Sequence, residues 1–270
     1  EKISEITVEQ AIDDLYRKAL TESKIIPTSQ GGIKEIISQD PLKFVIVVEG
    51  VKGVEEFLNS PFKIEEIFHT DDFFIKKKFQ TDHLITHQIS EHELQKISTL
   101  KSPNKVLAIV QIPQKKILKQ VGLVVGLEDV NDPGNLGTII RLCDWFGISN
   151  LICSINTVDC YNAKVVQASM GSLSRVNVTY VDLLDYVKTT SKQCFIADMN
   201  GKNVYESNLP KDALLIMGNE ANGISNELKL IVDTSISIPA FGEFSQTESL
   251  NVATATAILL SEFKRNLFCI

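Results

Sequence analysis

The sequence predicts an α/β protein, with a parallel sheet covered by helices on both faces in the second half of the chain and a smaller α/β unit ahead of it. Three observations carry this. Val121 to Leu127 is an apolar run without alternation, the pattern of a strand buried on both faces, and such strands belong to parallel sheets. Strand-like and helix-like segments then alternate to the end of the chain, as βαβ units do. A second alternating block occupies residues 44–112.

Composition sets the frame. The 270 residues, 44% hydrophobic and 23% charged, suffice for a sizeable core and for two domains. No apolar run approaches the roughly 20 residues needed to cross a bilayer, and the polar start lacks a signal-peptide pattern. A cytoplasmic location without membrane partners is therefore expected. Cys143, Cys153, Cys160, Cys194 and Cys269 are scattered, with no Cys-x-x-Cys pair, so reduced thiols are expected. The net charge of -7 argues against indiscriminate polyanion binding. It is uneven: residues 1–119 hold 17 basic and 18 acidic side chains, and the remainder 10 and 16. Any basic patch is expected in the first part.

Taken in order, Thr7 and Gln10 fit a capping box for a helix whose apolar face is Val8, Ala11, Ile12, Leu15 and Ala19. Pro27 to Gly32 breaks the chain. Phe44 to Val48 reads as a strand leading into a helix through Phe57, and Ile64 to Phe68, Leu84 to Ile89 and Val106 to Ile112 read as further strands. Ser90 with Glu93 forms a second capping box, for a helix expected to end near Lys101-Ser-Pro103. The short basic segment Gln114 to Gln120 serves as the linker, dividing residues 1–115 from 116–270.

Beyond the linker, Asn131, Asp132, Pro133, Gly134, Asn135 and Gly137 predict a loop after the first strand. A helix resumes with Ile139, Leu142, Cys143 and Phe146, and Gly147 takes the left-handed C-cap. Asn135 is thereby expected in the loop and Arg141 on the helix, near the carboxyl edge of the sheet, where open α/β sheets bind ligands. Asn150 to Ile155, Val176 to Val181, Cys194 to Met199, Ala213 to Gly218 and Ser235 to Pro239 are the remaining strands. Gly218 to Ser225 and Ile238 to Asn251 form two further polar loops. A last helix from Leu250 through Phe263, apolar almost all round, is expected to be buried, with Asn251 beside its core.

Asn135-Leu-Gly-Thr-Ile-Ile-Arg141, Met217-Gly-Asn-Glu220, and Ile238-Pro with Ser249-Leu-Asn-Val252 resemble, in order, the three motifs of the SpoU or TrmH branch of the SPOUT RNA methyltransferases. The likeness covers roughly residues 121–265. Val45-Ile-Val-Val-Glu-Gly50 and the helix after it resemble the ribosomal protein L30e-like substrate-binding domain often found ahead of that catalytic domain. The resemblance implies a deep trefoil knot in residues 116–270, S-adenosylmethionine bound in the knot, and a homodimer joined there, with no metal. Met217, Gly218, Asn219, Ile238 and Leu250 would hold the cofactor, largely through backbone, which suits an adenine read by main-chain groups in an apolar pocket.

The implied reaction moves a methyl group to a ribose 2′-hydroxyl, which requires alignment of the reactants, stabilisation of a developing alkoxide and removal of a proton. A guanidinium, with a pKa above about 12, rarely gives up its proton, so Arg141 is assigned to RNA phosphate and alkoxide rather than to the base role. Asn135, Ser249 and Asn251 would position ribose and cofactor, and Glu220 would orient Arg141 or a loop amide. Structured RNA is the expected partner, ribosomal RNA ahead of transfer RNA.

Plainer roles compete with each assignment. Arg141 taken alone suits a surface pair with Asp144 or a position over Trp145. Asn135 suits a turn, Ser249 an N-cap and Glu220 a solvated charge. It is their joint occurrence that favours a site. His83, His87 and His92 lack the cysteines or carboxylates of a metal centre and read as surface histidines, while Lys76 to Lys78 read as a solvated run or part of an RNA footprint. A non-catalytic RNA-binding relative is the rival within the fold. A dinucleotide-dependent oxidoreductase is the more distant rival, and it lacks the G-x-G-x-x-G fingerprint.

Overall fold

The computed structural model describes residues 45–70, 84–113, 121–232, 234–242 and 249–265. The expected helix over residues 7–19, the segment 27–32, the linker 114–120, His83, Cys269 and Lys76 to Lys78 lie outside them. The described residues group into two compact units, one made of those before residue 116 together with 161–174, the other of the rest.

The first unit runs β1 (Val45–Glu49), α1 (Val51–Leu58), β2 (Ile64–His69), β3 (Ile85–Gln88), α2 (Glu91–Ile97) and β4 (Val106–Gln111). Its sheet has the order β1-β4-β2-β3, with β4 antiparallel to both neighbours and β2 parallel to β3. Phe68, Ile89, Leu94, Leu107 and Ile109 form one buried cluster of this unit. The capping box at α2 is present: Glu93 N donates to Ser90 Oγ at 3.2 Å, and Ser90 N donates to the Glu93 carboxylate at 2.8 Å. The helix ends at Ile97, before the expected Lys101, because Glu49 takes the next residues. Its carboxylate accepts from Thr99 N at 2.9 Å and from the hydroxyls of Ser98 and Thr99, so the Thr99 amide bonds across to β1 instead of continuing the helix ladder. His87 stacks on Phe68 at 4.8 Å and meets the Glu66 carboxylate at 2.9 Å.

The second unit is built on a six-stranded sheet. Its elements are β5 (Val124–Leu127), α3 (Pro133–Trp145), β6 (Asn150–Ser154), β7 (Asn177–Val181), α5 (Leu183–Thr189), β8 (Gln193–Asn203), β9 (Ala213–Met217), α6 (Asn226–Ile231), β10 (Ser235–Ser237) and α7 (Val252–Arg265). Between β6 and β7 the chain passes through α4 (Ala163–Ser169), which groups with the first unit. The order is β10-β8-β9-β5-β6-β7 and every pairing is parallel. The unbroken apolar sequences of β5 and β9, and the apolar centre Leu151 to Cys153 of β6, follow from burial of all the residues of these strands.

Helices cover both faces. On one, Ile196 of β8 lies in a cluster with Val124, Ile152, Leu214 and Ile216 and with Leu183, Val187 and Leu228 from α5 and α6. Phe195, the next residue along β8, points to the other face and meets Phe263 of α7 edge-on at 5.5 Å. Each such fully buried side chain contributes about 1.5–3 kcal/mol. The chain goes from β5 outward to β6 and β7, then crosses to the other side of β5. The carboxyl ends of β5 and β9 therefore flank the switch point where such sheets take ligands.

Two expectations are corrected here. The residues Pro133 to Gly137 are helical rather than a loop: Asp132 caps α3 by accepting from Asn135 N at 2.8 Å, and Pro133 opens the helix, where its missing N–H costs nothing. The last helix is buried along one face only. Val252, Ala253, Thr256, Leu259, Leu260 and Phe263 are covered, whereas Asn251, Thr254 and Ser261 are exposed. Gly147 does take the expected left-handed position at φ +65°, and Ile148 N bonds back to Cys143 O at 2.7 Å, which closes α3.

Candidate active site

The loops at the carboxyl ends of β5 and β9 are tied to each other by backbone and side chains. Glu128 N donates to Met217 O at 2.9 Å, and the Glu128 carboxylate accepts from Ser225 N at 2.8 Å. Asp129 follows in a left-handed conformation, φ +53°, which side chains other than glycine adopt at a cost. Two bonds hold it there. Asp129 N donates to Ser154 Oγ at 2.8 Å, and Asn219 Nδ2 donates to Asp129 O at 2.7 Å. The Ser154 hydroxyl returns a bond to the Asp129 carboxylate at 2.6 Å.

Beyond this tie three of the predicted residues, Glu220, Asn135 and Asn251, converge. The Glu220 carboxylate accepts from Asn135 Nδ2 at 3.0 Å and, at the long distances of 3.3 and 3.4 Å, faces the backbone amides of Asp132 and Asn131. Asn135 Oδ1 accepts from Asn251 Nδ2 at 2.9 Å. Asn251 Oδ1 in turn accepts from Ala253 N at 2.9 Å and Thr254 N at 3.2 Å, capping α7. One hydrogen-bonded chain thus joins Glu220, Asn135 and Asn251, which lie far apart in sequence. The Glu220 carboxylate thus faces loop amides and makes no hydrogen bond or ion pair with Arg141.

Arg141 and Ser249 stand apart from that chain. Arg141 lies six residues after Asn135 on α3, which turns it about 120° around the helix. It is exposed, and among the described residues it makes no hydrogen bond, ion pair or ring contact. The pairing with Asp144 is not formed, since that carboxylate is held by Arg175, and neither is the contact with Trp145. Ser249 is exposed and caps no helix; the capping residue is Asn251.

Of the residues expected to hold a cofactor, Met217 ends β9, is 2% exposed, and its carbonyl accepts from Glu128 N. Gly218 lies against the turn it leads into: a Cβ there would sit 2.3 Å from the Gly223 carbonyl carbon. Asn219 closes that turn, its Oδ1 accepting from Ala221 N at 2.9 Å and Asn222 N at 3.0 Å. Ile238 is half-buried and Leu250 is 48% exposed. Among the described residues no group of His, Cys, Asp and Glu is arranged to hold a metal ion.

Asp129, Ser154 and Arg175 were not singled out from the sequence. Asp129 sits beside the motif loop, and the tolerance of aspartate for the left-handed region is the signal that could have found it. Ser154 and Arg175 act across strands, which linear spacing does not reveal.

A polar hydrogen-bonded chain at the carboxyl edge of an all-parallel sheet, beside the exposed apolar side chain of Leu250, lies where α/β domains of the ligand-binding class take their ligands. This chain belongs to the SpoU rRNA Methylase family, whose sequence model matches residues 122–261. A model of the MRM3-like substrate binding domain matches residues 43–108. The 23S rRNA (guanosine(2553)-2′-O)-methyltransferase RlmP of Bacillus subtilis is 32% identical over 218 residues, 79% of this chain and 86% of that protein. Among solved structures, a putative RNA methyltransferase of the TrmH family from Porphyromonas gingivalis superposes with a TM-score of 0.73 at 35% identity, covering 82% of this chain and 90% of its own. The SpoU methyltransferase AviRb from Streptomyces viridochromogenes, in complex with the cofactor AdoMet, superposes at 0.72 with 25% identity, covering 83% and 90%.

Proposed function

We propose that this protein transfers a methyl group from S-adenosylmethionine to a ribose 2′-hydroxyl of RNA, with ribosomal RNA as substrate. The observation that carries the reading is the hydrogen-bonded chain Glu220–Asn135–Asn251, which joins all three motifs at the switch point of the sheet. Relatives that act on 23S ribosomal RNA support the choice of substrate.

The chain's own residues fit the cofactor in one respect: apolar surface remains open at Leu250 and Ile238, beside strand ends whose backbone can read an adenine. When bound, S-adenosylmethionine supplies an electrophilic methyl group on a sulfonium. Backbone at Met217, Gly218 and Ile238, with Asn219 and Leu250, holds it. Asn135 and Asn251 each keep one amide N–H beyond the bonds described, and these hold the ribose. Glu220 fixes the direction of the Asn135 amide, and the Ala253 and Thr254 backbone amides fix that of Asn251. Arg141 takes the flanking phosphate and stabilises charge developing on the ribose oxygen.

The fold in this reading is knotted around the cofactor, and two copies form a homodimer through residues 116–270. Residues 1–115 carry RNA recognition. The decisive experiment maps 2′-O-methylated nucleotides in a strain lacking the gene against its parent. Loss of one ribosomal RNA methylation supports the proposal, loss of a transfer RNA methylation moves the substrate, and an unchanged map overturns it.

A further inference from the structure

Arg141 has a competitor built into its own helix. Residues three apart on a helix are surface neighbours, so Asp144 is the carboxylate that α3 offers to the Arg141 guanidinium. Asp144 also sits in the last turn of α3, where the helix dipole disfavours a negative charge and a cation is called for. That cation is Arg175, just ahead of β7. Its Nε lies 3.1 and 3.0 Å from the two Asp144 oxygens, and its Nη2 lies 2.8 Å from Oδ2. Such a two-pronged contact outcompetes a single-point pair along the helix, all the more because arginine ahead of aspartate is the less favourable order.

We propose that Arg175 is a positioning residue for methyl transfer: by occupying Asp144 it leaves Arg141 unpaired and its charge available to the RNA. The inference rests on the assignment of Arg141 to RNA given above. Without Arg175, the Asp144 carboxylate swings to Arg141, partly neutralises it and adds a negative charge beside the incoming phosphate. A contact that only fastened α3 to the start of β7 would act through stability and would not depend on Arg141.

The test uses the full chain, tritiated cofactor and protein-free 23S ribosomal RNA from a deletion strain, read as kcat and KM for RNA, with cofactor affinity measured by calorimetry. Arg175→Ala is expected to lower kcat/KM about two- to fivefold, the scale of one exposed charge interaction, with cofactor affinity unchanged. Asp144→Asn alone leaves activity near wild type, and Arg175→Ala with Asp144→Asn restores it. In an Arg141→Ala background, Arg175→Ala should have no further effect. If the loss in Arg175→Ala persists in the double variant, or appears equally without Arg141, the contact is structural and the inference falls. If Arg175→Ala is silent while Arg141→Ala abolishes transfer, this inference alone falls. If Arg141→Ala itself retains activity, the assignment of Arg141 falls with it.

Discussion

The side-chain amide of Asn135 donates to the Glu220 carboxylate at 3.0 Å, and that contact fixes the polarity of the whole site. An ionised carboxylate only accepts, so the Asn135 atom facing it is nitrogen and its oxygen turns to Asn251. The other end is fixed as firmly. The Ala253 and Thr254 amides only donate, so Asn251 presents oxygen to them and nitrogen to Asn135. Both asparagine orientations are set by groups with no second role.

Asn135→Asp is nearly isosteric and replaces the donor facing Glu220 with an acceptor. It should reduce methyl transfer more than Asn135→Ala, which removes the group without adding repulsion. Combining Asn135→Asp with Glu220→Gln restores a donor to that contact and should recover part of the lost rate. Single-turnover transfer measures both. A double variant no faster than Asn135→Asp alone would count against an orienting role for Glu220.

Much of this arrangement was readable in the sequence because backbone periodicity and caps are local. The strands β5 to β10, the Ser90 capping box and the Gly147 terminus all follow from nearby residues. The start of α3 was misread because Pro133, Gly134 and Asn135 suit a turn as well as a helix N-terminus, and the Asp132 side chain decides between them. The sequence resemblance brought Glu220, Asn135 and Asn251 together. It could not show which atoms meet, nor that Arg175 rather than Arg141 engages Asp144, since those depend on strand order and side-chain direction.

Asp129 offers a test of backbone conformation. At φ +53° a β-branched side chain is strained, so Asp129→Val should destabilise the loop and slow transfer. Asp129→Gly relieves the strain but gives up the bond to the Ser154 hydroxyl, and should be milder in thermal stability. Tm and transfer rate for the pair separate the two contributions. Equal losses in both variants would place the importance in the carboxylate instead.

The buried cysteines should resist alkylation. Burial pushes the Cys143 thiol up to about 12 and holds Cys153 well above the ordinary range, whereas Cys194 is only half-buried. At pH 8 iodoacetamide should label Cys194 before Cys143, Cys153 and Cys160, as read by peptide mass spectrometry. The sign for stability follows. An unfolded thiol loses its proton near 9.0 and folded Cys143 near 12, so between these values the unfolded chain binds fewer protons and stability falls as pH rises. Unfolding midpoints in urea at pH 8 and above 9 check this.

RNA affinity should depend on salt through the lysines of the first part of the chain. Lys101 and Lys105 lie among the described residues, and Lys76, Lys77, Lys78, Lys115 and Lys116 outside them. The second part, with its acidic excess, has less to offer phosphates. Each phosphate contact removed should reduce the slope of log K against log salt by about 0.7 to 0.9. Replacing Lys101 and Lys105 by alanine in the full chain should flatten that slope and leave cofactor affinity unchanged. An unaltered slope would move the RNA contact elsewhere.

Arg141 should separate cofactor binding from catalysis. Its side chain is exposed and makes no bond within the described residues, so Arg141→Ala should alter stability by no more than about 0.5 kcal/mol. The cofactor, assigned in the proposed function to backbone at Met217 and Gly218 at the end of β9, should then bind as before. Methyl transfer should fall by about two to three orders of magnitude, the usual consequence of removing a donor to a developing oxyanion. Arg141→Lys keeps the charge and loses the planar two-pronged geometry. Partial rescue by lysine assigns the effect to charge, and absence of rescue assigns it to bidentate positioning of phosphate and ribose. Because Asp144 is already held by Arg175, lost pairing along α3 cannot explain a fall in rate. An Arg141→Ala variant as fast as wild type would mean that the reacting ribose lies elsewhere on the carboxyl edge.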